Sequence, residues 1–456
     1  MAADVPAPSP SDSREEIAYR EVGRTKISAG AARLMSVAFA ALLAGVPAAH
    51  VARELAAGRA AGPPENALSW TQIGPVVMDA ISMWEAAAGG ALDRLIEANH
   101  VLRVGLKRYE TDLEDASWLR AVVQPWMQWA TARWLRGGSE NVQMGRNGWL
   151  FFGPELEYIS SAGFLDPREH ARRRREGDRW TPAPQPDPLA AIFRFRDELS
   201  ARGIHLVLLP VPVKHGVHPE RFSARAAGGT VLRNRDWPAF VRALDQAGVE
   251  WVDPAPALLA AAAAHGAAYL RTDTHWRPEA MEAVAALVAD RLAARLPSTK
   301  DPGWMAGRET VTNLGDLAVM LNTVEAARWP APEVAEIRPV RSADGRPWTP
   351  DRAADVLVLG DSFCNVFALD SMGWGRSAGF AEHLSLRLGR PVDRMVRNDA
   401  GAFATRSMLV NEAARNPARL AGKRVVVWQF SERELLRGDW KLLDWPAPSG
   451  REGERP

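Results

Sequence analysis

The sequence is poor in cysteine and has almost no net charge. Its 456 residues include one cysteine, Cys364, so neither a disulfide framework nor a thiolate metal site can form within one chain. The formal net charge of +1 gives no basic field of the kind that binds nucleic acid. Hydrophobic residues make up 47% and charged residues 24%, as in ordinary globular proteins. The compartment stays open, because a reduced cytosolic protein and a disulfide-free exported protein both fit.

One long hydrophobic run lies near the N-terminus. Residues 34–52, LMSVAFAALLAGVPAAHVA, carry no formal charge when His50 is neutral, and they can just cross a hydrocarbon core of roughly 30 Å. Basic residues are more numerous before the run than after it, which predicts a cytoplasmic tail over 1–33 and a body on the other side. A cleaved signal peptide and a buried core helix are the alternatives. The transmembrane anchor is favoured because the polar leader is long for a signal peptide.

A helical linker region is predicted over 53–140. It contains a tryptophan-rich stripe at helical spacing, which is expected to pack against the main domain or to lie near the membrane surface rather than to form a sugar platform. The stripe consists of Trp118, Val122, Trp126 and Trp129. Pro125 should kink this helix or mark its boundary.

The main domain is predicted over 141–445, followed by a C-terminal tail over 446–456. It starts at GRNGWLFFG, where Asn147-Gly148 is a hairpin turn signal. Predicted strands then alternate with helices, which indicates an α/β fold with a mostly parallel sheet flanked by helices. The strands are expected at 204–213, 249–254, 355–362, 392–401 and 424–434. A loop-rich insert over 297–350 interrupts the alternation.

Two short motifs carry the predicted chemistry. In RTDTHW, the i, i+2 spacing puts Asp273 and His275 on the same side of an extended segment, where the carboxylate can orient the imidazole as a general base. In DVLVLGDSF, Ser362 follows a fully apolar strand, at the sheet edge where α/β proteins bind ligands. Asp361-Ser362 alone would also suit a helix cap, so the combination of the two motifs is what predicts a serine nucleophile.

In the order GRNGWLFFG, DTHW and GDSF, these motifs resemble the alginate O-acetyltransferase AlgJ/AlgX family of SGNH (GDSL-type) hydrolase-like proteins. The resemblance covers about residues 140–445. In ordinary SGNH enzymes the serine comes first, whereas here the aspartate and histidine precede it, as in this family. The resemblance implies an SGNH-like fold that uses no cofactor, with Ser362 as nucleophile, His275 as base and Asp273 as its orienting carboxylate.

The resemblance also points to residues that would stabilise the oxyanion. Gly401 in VRNDAGAFATR is the candidate for a backbone donor, with Asn398 nearby; a turn glycine with positive φ is the alternative. The asparagine expected after the third strand is missing from VVVWQFSERE. Gln429 or Arg406 could replace it, or each could be a surface or packing residue.

Several other residues near these motifs have two interpretations. Lys214, at the end of a strand, could hold an acidic or hydroxyl-rich sugar, or it could be a solvated loop lysine. Trp276 could line the acceptor cleft, although packing is favoured. His215, His218 and Glu220 match no standard zinc spacing, so no metal site is predicted.

The motifs predict a serine nucleophile that attacks an acyl carbonyl. The predicted anchor and the family resemblance favour an O-acetyltransferase that moves the acetyl group to a hydroxyl of an extracytoplasmic, alginate-like polysaccharide. A carbohydrate acetylesterase with the same Ser-His-Asp site and a non-catalytic glycan-binding assembly protein are the alternatives. The resemblance implies two partners, the polysaccharide acceptor and a membrane-bound O-acyltransferase as acetyl donor. The predicted anchor and its flanking charges, which suit the membrane-attached members of that family, predict a single-pass inner-membrane protein with its catalytic domain in the periplasm.

Overall fold

A computed structural model describes residues 28–59, 69–177, 180–327 and 329–446. Most of the predicted cytoplasmic tail (1–27), part of the linker (60–68) and nearly all of the predicted C-terminal tail (447–456) lie outside the described residues. The chain divides into two compact units after Gln124. This division falls earlier than the predicted start of the main domain.

The first unit is helical, with α1 (Ala29–Ala56), α2 (Ile73–Ala86) and α3 (Ala91–Ala116). Helix α1 contains the predicted hydrophobic run and extends beyond both of its ends. Among the described residues it is the one helix long and apolar enough to cross a membrane. Its large apolar side chains are exposed, with Leu34 at 70% and Phe39 at 67%, which argues against a buried core helix.

Helix α4 (Trp118–Ala130) crosses the division between the units, and a π-helical turn follows it. Pro125 lies inside α4, and the helix boundary is at Ser117 instead, so Pro125 does not end a helix. The remaining helices are α5 (Gly153–Ser160), α6 (Pro167–Arg173), α7 (Pro188–Ser200), α8 (Lys214–Val217), α9 (Pro219–Phe222), α10 (Trp237–Gln246), α11 (Ala255–His265), α12 (Pro278–Ala293), α13 (Asp316–Leu321), α14 (Ser362–Asn365), α15 (Phe380–Leu388), α16 (Ala404–Arg415) and α17 (Glu434–Arg437).

The second unit is built on a five-stranded parallel sheet, as the alternation of strands and helices predicts. The strands lie in the order β10, β9, β11, β3, β4. They are β3 (His205–Val211), β4 (Glu250–Trp251), β9 (Val356–Gly360), β10 (Asp393–Val396) and β11 (Val425–Ser431). Each is shorter than its predicted span, because the residues beyond its ends turn away from the sheet to build the surrounding loops.

Alternate residues of the central strands enter two separate cores. Val358 of β9 and Val427 of β11 lie in one hydrophobic cluster, which includes Met281 of α12. Leu359 and the residues that pair with it on the adjacent strands lie in the other cluster, with Phe195 of α7. Every residue of β9 and β11 is buried, since helices cover both faces of the sheet.

Three antiparallel pairs accompany the sheet. They are β1 (Val142–Met144) with β2 (Leu150–Phe152), β5 (Met305–Ala306) with β8 (Val340–Arg341), and β6 (Glu309–Asn313) with β7 (Glu333–Ile337). The first pair is the predicted hairpin, and both turn residues have positive φ, 52° at Asn147 and 77° at Gly148. The other strands and α13 lie in the insert predicted to be loop-rich, so this segment is more ordered than its sequence indicates.

Candidate active site

The carboxyl ends of neighbouring parallel strands bring most of the candidate residues to one edge of the sheet. Ser362 follows β9, Gly401 follows β10, Lys214 follows β3 and Arg433 follows β11. Residues 266–277 connect α11 to α12, and an antiparallel bridge pairs Tyr269 with Trp276 within this segment. This edge is where the predicted nucleophile and its base have to meet.

Asp273 holds His275 in the way that their spacing predicts. His275 Nδ1 lies 2.7 Å from Asp273 Oδ1, and the same oxygen accepts a hydrogen bond of 3.0 Å from the backbone N–H of His275. Both residues are buried. His275 Nε2 is buried as well and has no hydrogen-bond partner among the described residues. An imidazole held through Nδ1 with a free Nε2 is the arrangement that a general base requires.

Two groups from distant parts of the sequence hold the other oxygen of Asp273. Trp374 Nε1 donates to Asp273 Oδ2 at 2.8 Å, and the backbone N–H of Asp316 donates to it at 3.0 Å. Hydrogen bonds from both sides favour the ionised carboxylate and prevent it from rotating. Asp273 is therefore a fixed acceptor for the imidazole.

Asp316 adds a second carboxylate to the site. It accepts hydrogen bonds of 2.7 Å from both the backbone N–H and the hydroxyl of Thr274, the residue between Asp273 and His275. Its Oδ2 lies 3.7 Å from His275 Nδ1. Gly315 precedes it. Glycine is needed there because φ is 89° and because a side chain would collide with the backbone of Thr272. Asp316 lies in the insert and was not a predicted site residue.

The electrostatics of this group follow from burial and from its own charges. Burial would raise the pKa of Asp273 and lower that of His275. Their ion pair and hydrogen bond outweigh burial, so the pKa of Asp273 lies below its ordinary value and that of His275 above it. Burial and the neighbouring Asp273 charge raise the pKa of Asp316 to about 6.

The turn that carries Ser362 is fixed by the side chain of Asp361. Asp361 Oδ1 accepts from the backbone N–H of Phe363 at 3.0 Å, capping the short helix α14. Its Oδ2 accepts from the backbone N–H of Ser431 at 2.9 Å, which ties this turn to the end of β11. Asp361 is thus the residue that caps α14, and Ser362 is the first residue of that helix.

Ser362 and His275 contact a common neighbour, Phe363. The Phe363 ring centroid lies 4.9 Å from that of His275, and Trp276 Nε1 donates to the Phe363 carbonyl at 3.1 Å. Ser362 is 7% exposed, and in the part of the chain that the structure describes its hydroxyl makes no hydrogen bond to His275. Catalytic hydrogen bonds often form only when substrate binds, so the Ser362–His275 contact stays a prediction.

Backbone N–H groups that could stabilise an oxyanion lie beside this turn. The N–H groups of Ser362 and Gly401 donate to no acceptor among the residues described. The φ of Gly401 is outside the left-handed region, so the alternative of a positive-φ turn does not apply. Glycine is needed because a Cβ there would lie 2.7 Å from Asp361 Cβ. The loop that follows β10 therefore touches Asp361, the residue before Ser362.

Gln429 and Arg406 have roles other than the predicted oxyanion contact. Gln429 is fully buried, and its amide bonds Asp361 twice, through the Asp361 backbone N–H at 3.0 Å and its Oδ1 at 2.8 Å. Arg406 is buried over the rings of Trp428 and Trp440 and donates to backbone carbonyls. Burial lowers the pKa of Arg406 to about 10. Gln429 fixes the turn that carries Ser362, and Arg406 packs the interior.

Both interpretations of Lys214 are wrong, because its side chain is completely buried. Its Nζ donates to three backbone carbonyls, those of Leu150 at 2.6 Å, Asp273 at 2.9 Å and Arg271 at 3.0 Å. Burial lowers the pKa of Lys214 to about 8. Lys214 therefore connects β2 to the segment that carries the Asp-His pair, and it is not available to a sugar.

Trp276 and Asn398 also act through protein contacts. Trp276 is fully buried, and its ring stacks on that of Phe380, which is the packing role that the sequence favours over a place in the acceptor cleft. Asn398 is exposed, and its Oδ1 accepts a hydrogen bond of 2.8 Å from Asn365 of α14. Asn398 thus lies at the rim, tied to the helix that Ser362 begins.

The side chains of Asp273, His275 and Asp316 also lie close enough to be compared with a metal centre, with ligand atoms within 4.8 Å of one another. All four carboxylate oxygens already accept hydrogen bonds from N–H or O–H groups. Each oxygen of Asp273 accepts from two donors, and one of these donors is His275 Nδ1, so hydrogen bonding within the site accounts for this arrangement as an orienting network. In the group of His215, His218 and Glu220, His218 Nε2 is also engaged, since it accepts a hydrogen bond of 3.0 Å from the backbone N–H of Ala268.

The fold is that of an SGNH hydrolase-like α/β protein. Residues 142–432 match the family model described as SGNH hydrolase-like domain, acetyltransferase AlgX. This match spans more than half of the chain, and the protein belongs to that family. The predicted resemblance and the predicted fold class are confirmed.

The chain is also similar to individual proteins. The chain is 25% identical over 384 residues to the probable alginate O-acetylase AlgJ of Pseudomonas aeruginosa, covering 80% of this chain and 86% of that protein. It is 28% identical over 322 residues to AlgJ of Pseudomonas putida, covering 67% and 74%. Among solved structures, the O-acetyltransferase domain of Pseudomonas putida AlgJ is similar with a TM-score of 0.49 and 24% identity, covering 66% of this chain and 93% of that domain.

Proposed function

We propose that this protein is a serine-dependent O-acetyltransferase that acetylates a hydroxyl of an alginate-like polysaccharide outside the cytoplasm. The observation that carries the proposal is the buried Asp273–His275 pair with its free Nε2, in a chain whose GDS turn places Ser362 at the same sheet edge. The names of the AlgJ relatives supply the acceptor class.

In the first half-reaction, His275 Nε2 takes the proton of Ser362 Oγ while that oxygen attacks the acetyl carbonyl of the donor. The negative charge on the tetrahedral oxygen is stabilised by the N–H groups of Ser362 and Gly401. Asp273 stabilises the imidazolium. The donor's leaving group departs with the proton from His275, and acetyl-Ser362 remains.

In the second half-reaction, an acceptor hydroxyl attacks acetyl-Ser362 and gives its proton to His275. The tetrahedral intermediate collapses, Ser362 recovers its proton from His275, and the acetylated sugar leaves. Water in place of the sugar hydroxyl would give an esterase. The donor is proposed to be a membrane-bound O-acyltransferase, because α1 would hold the second unit at the periplasmic face, where coenzyme A is not available.

Intact-mass analysis after incubation with p-nitrophenyl acetate tests the nucleophile. We expect one acetyl adduct on the wild type and none on Ser362→Ala, whose turnover should fall about 10³-fold or more. Ser200→Ala, at the exposed end of α7, is the matched control and should keep the adduct. An adduct that persists on Ser362→Ala would rule out this nucleophile.

Product analysis separates the alternatives. With an oligosaccharide acceptor present, acetylated sugar supports transfer. Free acetate alone, over a range of acceptors, would make the protein an esterase. A Ser362→Ala protein that still supports polymer acetylation in cells would indicate a non-catalytic assembly role.

A further inference from the structure

Arg433 is a partly buried cation at the active edge of the sheet that the proposed mechanism does not use. It lies two residues beyond the end of β11. Its guanidinium carbon lies 5.5 Å from the ring centroid of Phe152 and 5.9 Å from that of Phe363. Its Nη1 donates to Glu155 Oε1 at 3.2 Å. Two rings and a carboxylate therefore fix its position.

The ring of Phe363 connects Arg433 to the reacting groups. Phe363 follows Ser362 in the chain, and its ring lies against the His275 ring as well as against the guanidinium. The charges of Arg433 and His275 influence each other, and Asp361 lies within the same field. Arg433 is thus next to the site where an acyl group and its acceptor would meet.

Part of the guanidinium remains open to a ligand. The Arg433 side chain is 16% exposed, whereas Glu155 is fully buried. In the described chain only Nη1 has a protein acceptor, and Nε and Nη2 are not enclosed. Burial opposes the charge, but the carboxylates of Glu155 and Asp361 keep the pKa of Arg433 above its ordinary value. A fixed guanidinium with two free donors matches a carboxylate.

An Arg433–Glu155 ion pair that served only the fold would explain less of this geometry than a ligand-binding role does. Glu155 already accepts from the backbone N–H of Lys214 at 3.2 Å and lies 3.5 Å from His215 Nδ1. Pairing with Glu155 occupies one nitrogen of Arg433 and leaves the solvent-facing edge without a protein partner. Glu155 therefore fixes Arg433 through Nη1 and leaves Nε and Nη2 without a protein acceptor among the described residues.

We propose that Arg433 is the acceptor-recognition residue: its open edge binds the carboxylate of an acidic sugar of the uronate class while a hydroxyl of the same chain reaches acetyl-Ser362. This inference rests on the proposed acetyl transfer and makes it specific. Arg433 positions the acceptor and takes no part in proton transfer.

The test compares Arg433→Gln and Arg433→Lys with wild type on two acceptors, an oligomannuronate and the same oligomer with its carboxyl groups reduced to alcohols. For Arg433→Gln we expect kcat/KM with the acidic acceptor to fall about 10- to 100-fold, mainly through KM, since a hydrogen bond to a charged group is lost. For the neutral acceptor, kcat/KM of Arg433→Gln should fall less than about threefold. With the acidic acceptor, Arg433→Lys should lie between Arg433→Gln and wild type. Arg437→Gln, at an exposed arginine one turn farther along the chain, is the control and should match wild type.

Equal losses on both acceptors would overturn the proposal. So would a loss confined to acetyl-enzyme formation, measured as the p-nitrophenol burst without acceptor. If wild type forms no acetyl-enzyme, the proposed function fails, but calorimetric binding of oligomannuronate still decides the role of Arg433. Ser362→Ala should then bind the oligomer about tenfold or more tightly than Ser362→Ala/Arg433→Gln. Equal affinities of these two variants would reject the proposed role of Arg433.

Discussion

At the residue scale, two carboxylates at unequal distances from His275 Nδ1 set the charge of the imidazole. Asp273 Oδ1 lies at 2.7 Å and Asp316 Oδ2 at 3.7 Å. Burial favours the neutral ring, but both carboxylates favour the imidazolium, and the pKa of His275 lies above its ordinary value. A general base must be neutral. Activity should therefore be lost as the pH falls through this raised pKa.

The Asp316→Asn substitution tests the contribution of the second carboxylate. Asp316, with a pKa of about 6, is ionised where His275 titrates, so its removal should lower the pKa of His275. We expect the acid limb of kcat/KM to move down by about one pH unit, measured with p-nitrophenyl acetate. Asp370→Asn, at an exposed carboxylate, is the control. An unmoved limb would mean that Asp273 alone sets the protonation of His275.

At the element scale, Lys214 joins β2 to the segment with the Asp-His pair. Its three carbonyl acceptors belong to parts of the chain that no regular strand pairing connects. Because burial lowers the pKa of Lys214 to about 8, the folded protein loses this positive charge as the pH rises through that value. The connection should then weaken, and His275 should become less well placed.

Lys214→Met should reveal this dependence. The three carbonyls each lose one hydrogen bond, and we expect the free energy of unfolding in thermal or denaturant melts to fall by about 2–4 kcal/mol, together with a lower kcat. The alkaline limb of wild-type activity near pH 8 should disappear in the variant, while the acid limb set by His275 remains. Lys107→Met, at an exposed lysine of α3, should change neither property. An alkaline limb that persists in Lys214→Met would belong to another group.

Local patterns predicted the elements well and the long-range partners poorly. The spacing of Asp273 and His275 and the apolar run before Ser362 are local, and each determines its own geometry. Asp316 and Trp374 reach the site through tertiary packing of an insert and a loop, for which no periodicity exists. Their contribution could not be found from spacing.

Burial explains why some candidate residues have roles other than the predicted ones. The sequence makes Lys214 a candidate because it ends a predicted strand, and Gln429 and Arg406 because the expected asparagine is missing, but each of these polar groups satisfies the protein interior. A polar side chain next to a strand end has the same sequence signal whether it faces a ligand or a backbone carbonyl. Arg433 shows the reverse case, because it follows the strand whose expected asparagine is missing and its open edge becomes evident only from its neighbours.

At the scale of the whole molecule, the chain combines an exposed apolar helix with a unit that has its own cores. Helix α1 could span a membrane, and the parallel sheet with its two hydrophobic clusters lies entirely beyond Gln124. A compact unit with its own core is expected to fold without the rest of the chain. Catalysis and membrane attachment should therefore be separable.

A chain that begins at Ser117, and so keeps α4 whole, tests this separation. We expect it to remain in solution without detergent and to hydrolyse p-nitrophenyl acetate within about twofold of the full-length rate, whereas the full chain should sediment with membranes. Polymer acetylation in cells should be lost, because the unit would no longer stay beside the proposed membrane-bound donor. Sedimentation of the shortened chain would instead assign membrane contact to the exposed Trp126 (50%), Trp134 (69%) and Leu135 (78%). Replacing these three residues with serine should then keep the shortened chain from sedimenting with membranes.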